Sequence, residues 1–254
     1  MIPILSAAYP KAHFFGIKRQ PGVPIHLPEE VTHEMTHWVA AGSLAKMVYE
    51  ASGQHVDQDS WICTPANLTS IWRQRIAALK AEHGGRPVIG LCWRSGMAAA
   101  SRNFYYLGIK DVTALVQSIP DAIFVNLQYG DCKDELDRIK RATGREVLVF
   151  DDLDLKDDFA GTAALIENLD LVISAGTAVH MLTSATDTPC FVFFFGKHDS
   201  DPFQPECLHT SKEIGFIYPP LVPNKLDVVK AISASVNRYI ETGDLNEALS
   251  INRN

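Results

Sequence analysis

The sequence predicts an α/β protein: a doubly wound parallel sheet over residues 86–254, preceded by a smaller, abbreviated α/β lobe over residues 1–85. Three observations carry that expectation. From residue 87 onward, short β-rich runs alternate with helical patterns, and strand, helix, strand in regular order gives right-handed crossovers and a parallel sheet. The runs are apolar almost throughout rather than at every second residue, as strands are when both sheet faces are covered. Small and polar residues follow the runs, at the carboxyl ends of strands where an open parallel sheet binds its ligands.

In chain order, HFFGI (13–17) reads as a strand. A helix then follows, with Pro28 at a first helical position, Glu29 and Glu30 at the positive end of its dipole, Gly42 as terminator, and an apolar stripe of Val31, Met35, Trp38 and Val39. GSLAKMVYEAS (42–52) reads as a second helix. Thr64-Pro65 opens a stronger one that carries Leu68, Ile71, Trp72, Ile76 and Leu79 and stops at Gly84-Gly85, the expected hinge between the two parts. The strands of the second part are VIGLCW (88–93), AIFVNLQ (122–128), VLVF (147–150), LVIS (171–174) and FVFFF (191–195), with helices near 111–118, 133–142, 159–168 and 177–186. A last helix over 224–241 puts Val229, Ile232, Val236 and Ile240 on one face, with Asn224 as its cap.

The chain has 254 residues, 46% hydrophobic and 21% charged, enough to bury a substantial core. A net charge of −7 offers no basic footprint for a phosphodiester backbone, so nucleic acid is not an expected partner. The longest apolar run, at 190–195, is far too short to span a bilayer, and the N-terminus lacks the basic region of a secretory signal; the chain reads as cytoplasmic. Five cysteines, odd in number and without a C-x-x-C pair, read as free thiols, with Cys92 and Cys190 buried in apolar runs.

One motif points elsewhere. His33-Glu34-Met35-Thr36-His37 fits H-E-x-x-H, in which two histidines on one helical face hold Zn²⁺ and the glutamate activates its water. The extended pattern would need Gly at 40 and His at 43, where the chain has Ala40 and Ser43. Glu50, His55 and Asp57 could supply a third ligand, but at no recognisable spacing. The other reading is an amphipathic surface helix carrying two histidines.

The strand ends hold the stronger candidates: Trp93-Arg94-Ser95-Gly96, Gln128-Tyr129-Gly130-Asp131, Asp151 to Asp158, and Ser174-Ala175-Gly176-Thr177. Small residues at 174–178, just before a helix, would aim backbone amides and a hydroxyl at an anion such as a diphosphate, with Arg94 and Arg102 as cationic partners. A tight strand-to-helix turn with a Ser/Thr cap would read the same way. Neither G-x-G-x-x-G nor G-x-x-x-x-G-K-[ST] stands at these turns, which removes most support for dinucleotide binding or ATP hydrolysis. Asp152-x-Asp154 reads as strand-end carboxylates, with Asp158 capping the next helix, rather than as a cation site.

CWRSG (92–96), NLQYGDC (126–132), DLDLKDDFAGTAALIENLDLVISAGTAV (152–179) and Thr188-Pro189 resemble the donor-binding C-terminal half of bacterial GT-B glycosyltransferases often fused to tetratricopeptide repeats, relatives of heptosyltransferases and O-linked N-acetylglucosamine transferases. The resemblance covers 87 to about 205 well and extends more weakly back through GSLAKMV (42–48) and TPANLTSIWRQRIAAL (64–79). It implies a Rossmann-like second domain for a nucleotide-diphosphate sugar and an abbreviated acceptor-side lobe lacking its first strand and glycine-rich loop. Thr177, Ala178 and Val179 would cradle the diphosphate. Gln128, Tyr129, Gly130 and the helix start from Phe159 to Thr162 would flank the nucleoside. Trp93 to Gly96 would line the cleft, Ser174, Gly176 and His180 would complete the phosphate turn, and Arg94 or Arg102 would balance the leaving charge without metal or cofactor. Relatives commonly read D-T-A-V-A-H-L where this chain has Gly176-Thr177-Ala178-Val179-His180-Met181-Leu182. The acidic residue is absent and the histidine is displaced by one. The implied activity is metal-independent sugar transfer to a glycan or protein acceptor; the other reading is a non-catalytic nucleotide-sugar-binding module or a fragment of a longer enzyme.

Overall fold

The computed structural model describes residues 1–17, 22, 24, 26, 27, 29–39, 41–53, 60–96, 105–195, 213–218 and 224–250. Its centre is a sheet of β1 (Val88–Cys92), β2 (Ile123–Asn126), β3 (Val147–Leu148), β4 (Leu171–Ala175), β5 (Cys190–Phe195) and β6 (Glu213–Tyr218), in the order β3-β2-β1-β4-β5-β6. Every neighbouring pair is parallel. This is the Rossmann-like doubly wound order, with the direction of winding reversed between β1 and β4. Pairing of Leu91 with Asn126 and of Cys92 with Ser174 brings the carboxyl ends of β1, β2 and β4 out at one level.

All residues of β1, β2 and β4 are buried, which explains their continuous apolar composition. On one face Ile89, Leu91, Phe124 and Ile173 pack against α5 (Ile109–Ser118), α6 (Lys133–Thr143) and α9 (Lys225–Thr242). On the other, Val88, Cys92, Val125 and Val172 meet α7 (Phe159–Ile166) and α8 (Ala178–Ala185). Gly90 lets leucines pack directly on the strand: a Cβ there would lie 2.4 Å from Leu127 Cδ1 and 2.8 Å from Leu169 Cδ1, so both side chains would have to shift.

The second face is also covered from the N-terminal side. α1 (Ile2–Ala8) and α4 (Ala66–Glu82) contribute Ile4, Trp72 and Ile76 to the same core. α4 is tied beside α7 at several points: Thr69 Oγ1 donates to Glu167 (2.9 Å), and Lys80 Nζ pairs with Asp170 (2.6 Å).

Several expectations are corrected. Residues 13–17 form no strand, and all regular elements described within 1–85 are helices. The first helix expected, from Pro28 to Gly42, stops early as α2 (Glu29–Glu34), and Gly42 does not end it but lies inside α3 (Ala41–Ser52), the helix expected over 42–52; Pro28 lies outside the described residues. The apolar stripe does not bury: Trp38 is 80% exposed, and a short helix without a packing surface has little to hold it together. The sixth strand and a terminal α10 (Leu245–Ser250) are additions to the sequence reading. Asn224 occupies the cap position of α9, but its amide donates to Asp227 Oδ2 (2.7 Å) and makes no cap bond. Asp158 does cap α7, accepting from the Gly161 amide at 2.9 Å. Among the described residues no helix is long and apolar enough to cross a membrane.

Candidate functional site

Three exit turns meet where the winding reverses, and Cys92 lies at their junction. Its Sγ is 3.7 Å from Arg94 O, 3.8 Å from Gln128 Oε1 and 3.7 Å from Thr177 Oγ1, touching the exits of β1, β2 and β4 at once. Burial pushes its thiol up to about 11. Cys132, the residue before α6, is likewise raised to about 11 by burial, with the Glu135 charge adding to it. Both are protonated at neutral pH, so neither is an activated nucleophile.

The β1 exit is held by side chains. Gln128 is buried, and its Oε1 accepts from the amides of Trp93 (3.2 Å) and Arg94 (2.9 Å) while Nε2 donates to Tyr129 O (3.0 Å). Glu135, in the first turn of α6, accepts from Trp93 Nε1 at 3.2 Å and from Arg94 Nε at 3.0 and 3.1 Å, and pairs with the Arg94 terminal nitrogen. Those bonds raise the Arg94 pKa above its ordinary value. A further Arg94 donor reaches Asp131 O at 2.9 Å. The guanidinium expected to face phosphate is therefore engaged with α6. Gly96 packs against the Tyr129 ring, where a Cβ would come within 2.6 Å of Cε2, and Gly130 takes a φ of +81° that suits glycine.

The β4 exit is different in kind. Thr177 caps α8, its Oγ1 accepting from Val179 N at 3.3 Å. Beyond it α8 begins, with the Met181 amide donating to Thr177 O at 3.2 Å and the positive end of the helix dipole at the turn. Gly176 and Ala178 are exposed, whereas Ser174, Val179 and His180 are buried; the Ser174 hydroxyl donates to Ala175 O at 2.8 Å.

Beside these turns is a cavity of about 630 Å³ between the ends of β2 and β3 and α6. Gln128, Tyr129 and Gly130 line it from the segment after β2, Phe150, Leu153 and Leu155 from the segment after β3, and Lys133 and Lys156 also reach it. Asp152 and Asp154 are used locally. Asp152 takes a two-pronged ion pair from Arg75 (2.7 and 2.9 Å), and Asp154 accepts from the amides of Lys156 and Asp157.

The structure thus brings Trp93, Arg94, Ser95, Gly96, Gln128, Tyr129, Gly130 and Thr177 to one edge of the sheet. Phe159 is half-buried and Thr162 is buried with its hydroxyl unpartnered, and neither lines the cavity. Arg102 lies outside the described residues. Sequence reasoning missed Glu135, Arg75 and Phe150. Glu135 reads as an ordinary first-turn acid, and nothing in KDELDRIK points to a partner 41 residues away.

The zinc arrangement is corrected. The helix that had to present His33 and His37 on one face ends at Glu34, and His37 stands in irregular chain with its Nδ1 3.1 Å from Thr36 Oγ1. Of the possible third ligands, Glu50 pairs with Lys46 (3.6 Å), while His55 and Asp57 lie outside the described residues. Among the described residues no three His, Cys, Asp or Glu side chains are placed to share a metal.

No family model matches the sequence. Protein FlbA of Caulobacter vibrioides is 29% identical over 156 residues, which is 61% of this chain and 25% of FlbA, so the chain spans about a quarter of that relative's length. Two solved structures superpose on part of the chain. The glycosyl transferase family 9 protein from Veillonella parvula DSM 2008 superposes with a TM-score of 0.46 at 13% identity, over 74% of this chain and 50% of that one. The E. coli ADP-heptose lps heptosyltransferase II gives 0.49 at 11% identity, over 72% and 54%.

Proposed function

We propose that the chain is a two-lobed, GT-B-like glycosyltransferase whose second part takes a nucleotide-diphosphate sugar at the carboxyl edge of its sheet, the sugar passing to a glycan or protein acceptor without a metal. The observation that carries this reading is the junction at Cys92, where the exits of β1, β2 and β4 converge at the reversal of winding. An open parallel sheet binds its ligands at that point. The diphosphate is assigned to the start of α8 at Thr177 to Val179, where helix amides and dipole favour an anion. The nucleoside is assigned to the cavity beside Gln128 to Gly130, whose volume falls within the range of about 300–1,000 Å³ usual for ligand pockets. Residues 1–85 are proposed as the acceptor-side part. The affinity with tetratricopeptide-fused and O-linked N-acetylglucosamine transferases and the cytoplasmic setting belong to this proposal and rest on the sequence motifs and composition.

Calorimetric titration with UDP, GDP and ADP and their sugars, in the presence of EDTA, tests it. One of them should bind; no binding of any would sink the reading. A binding module without transfer is the second reading, favoured by one observation: the Arg94 charge is already met by Glu135 rather than held free for a leaving group. Release of sugar from the bound nucleotide sugar onto an acceptor or water decides against that second reading.

A further inference from the structure

Taking the donor-binding reading as its base, we infer that Arg75, on a helix outside the sheet, is a positioning residue for the nucleoside cavity. Phe150 and the residues after it form one wall of the cavity, which Gln128 and Tyr129 line from the end of β2. That wall leaves the sheet at Leu148, and Phe150, Leu153 and Leu155 rest on the core that the sheet shares with α4 and α7. Arg75 supports the wall from α4 in two ways. Its guanidinium lies 4.7 Å from the centre of the Phe150 ring and 4.3 Å from that of Trp72, while both of its terminal nitrogens grip Asp152. Trp72, buried in the core, meets Phe150 edge-on at 4.8 Å. A flat, forked cation suits both tasks, stacking on the rings and binding a carboxylate with two parallel bonds.

The docking of α4 does not depend on this contact. Trp72 and Ile76 are buried, and Thr69 and Lys80 anchor the helix to Glu167 and Asp170. Loss of Arg75 therefore loosens the wall and leaves the helix in place. Pre-forming a wall raises affinity by removing the cost of ordering it on binding. Only a ligand that touches the wall gains from it, so the nucleoside gains and the phosphates at α8 do not.

The experiment uses the full chain and its Arg75→Ala and Arg75→Lys variants, titrated with the nucleoside diphosphate that the wild type binds best and with inorganic pyrophosphate. Arg75→Ala should weaken the nucleoside diphosphate about fivefold and leave pyrophosphate unchanged, a loss equivalent to about 1 kcal/mol. Arg75→Lys, with charge but no fork, should recover only part of it. Amide exchange should quicken over residues 149–157 and not along α4. Equal weakening of both ligands marks a plain stability effect and overturns the inference, as does unchanged affinity for both. Absence of nucleotide binding by the wild type overturns the donor-binding reading itself, and this inference with it.

Discussion

The two turns that flank the reversal point, after β1 and after β4, lie on adjacent strands and are built on opposite plans. The β1 exit is cross-braced by side chains from β2 and α6: Gln128 holds its amides, and Glu135 holds Trp93 and Arg94. At the β4 exit the Ser174 hydroxyl donates to Ala175 O and Thr177 Oγ1 accepts one long bond from Val179 N, after which the chain becomes a helix start. A braced turn commits its polar groups to distant parts of the protein, whereas a helix start turns the positive end of its dipole outward. On the proposed donor-binding reading one lip of the crevice is rigid and the other receives the anion, and each of the following changes probes one side of that contrast.

Gln128→Ala should have the largest effect, because it strips the acceptor from two main-chain amides beside a buried core. Leaving such donors unsatisfied costs about 3–4 kcal/mol for the pair. Gln128→Glu keeps the acceptor but sets a buried carboxylate oxygen against Tyr129 O, which accepts from Nε2 in the wild type, so it should lose a comparable amount. Urea denaturation of both variants checks this, and a Gln128→Ala midpoint equal to wild type would mean that the brace is idle.

Next comes Cys92, which touches both lips. Its folded-state pKa of about 11 stands above the ordinary 9.0, so above pH 9 the unfolded chain releases a proton that the folded chain retains. Stability is therefore full below about pH 9 and drains as pH rises towards 11, by on the order of 2–3 kcal/mol from this thiol. Cys132 is shifted the same way and adds to the slope. Denaturation of wild type and Cys92→Ala across that window should show a shallower fall in the variant. Parallel curves would mean that the buried thiol has no part in it.

How much of this was legible in the sequence depends on the range of the interaction. The central strands announced themselves, since β1, β2, β4 and β5 are apolar runs interrupted by polar residues only at Asn126 and Ser174, and their exit turns followed from topology. The β6 strand was missed because EIGFIY begins with a charge, carries a central glycine and forms a sheet edge, where continuous burial is not demanded. The stripe through Met35 and Trp38 misled for the converse reason: helical spacing signals a helix only where a partner surface receives it, and here these side chains are exposed. Least legible were the long-range contacts. Arg75 meets Asp152 across 77 residues and Arg94 meets Glu135 across 41, and each member looks like an ordinary surface charge until the fold joins them.

The smallest expected effect is on the sparsely bonded lip. Thr177→Ala removes a cap whose single bond to Val179 N is 3.3 Å long, at the weak end for an amide donor. Cap removal usually costs about 0.5–2 kcal/mol, and a bond this long belongs near the bottom of that range. The contact with Cys92 Sγ, at 3.7 Å, adds little, because thiols are weak partners. Stability should therefore fall by about 0.5–1 kcal/mol. Nucleotide affinity should weaken by about 1 kcal/mol, because the backbone amides of α8 remain when the hydroxyl goes. Thr177→Pro makes the complementary change, removing the amide and distorting the extended φ of −133°. If the helix start is the anion-binding lip, Thr177→Pro should lose far more affinity than Thr177→Ala. Equal losses would place the phosphates on the braced side, and Arg94 would then have to leave Glu135 to meet them.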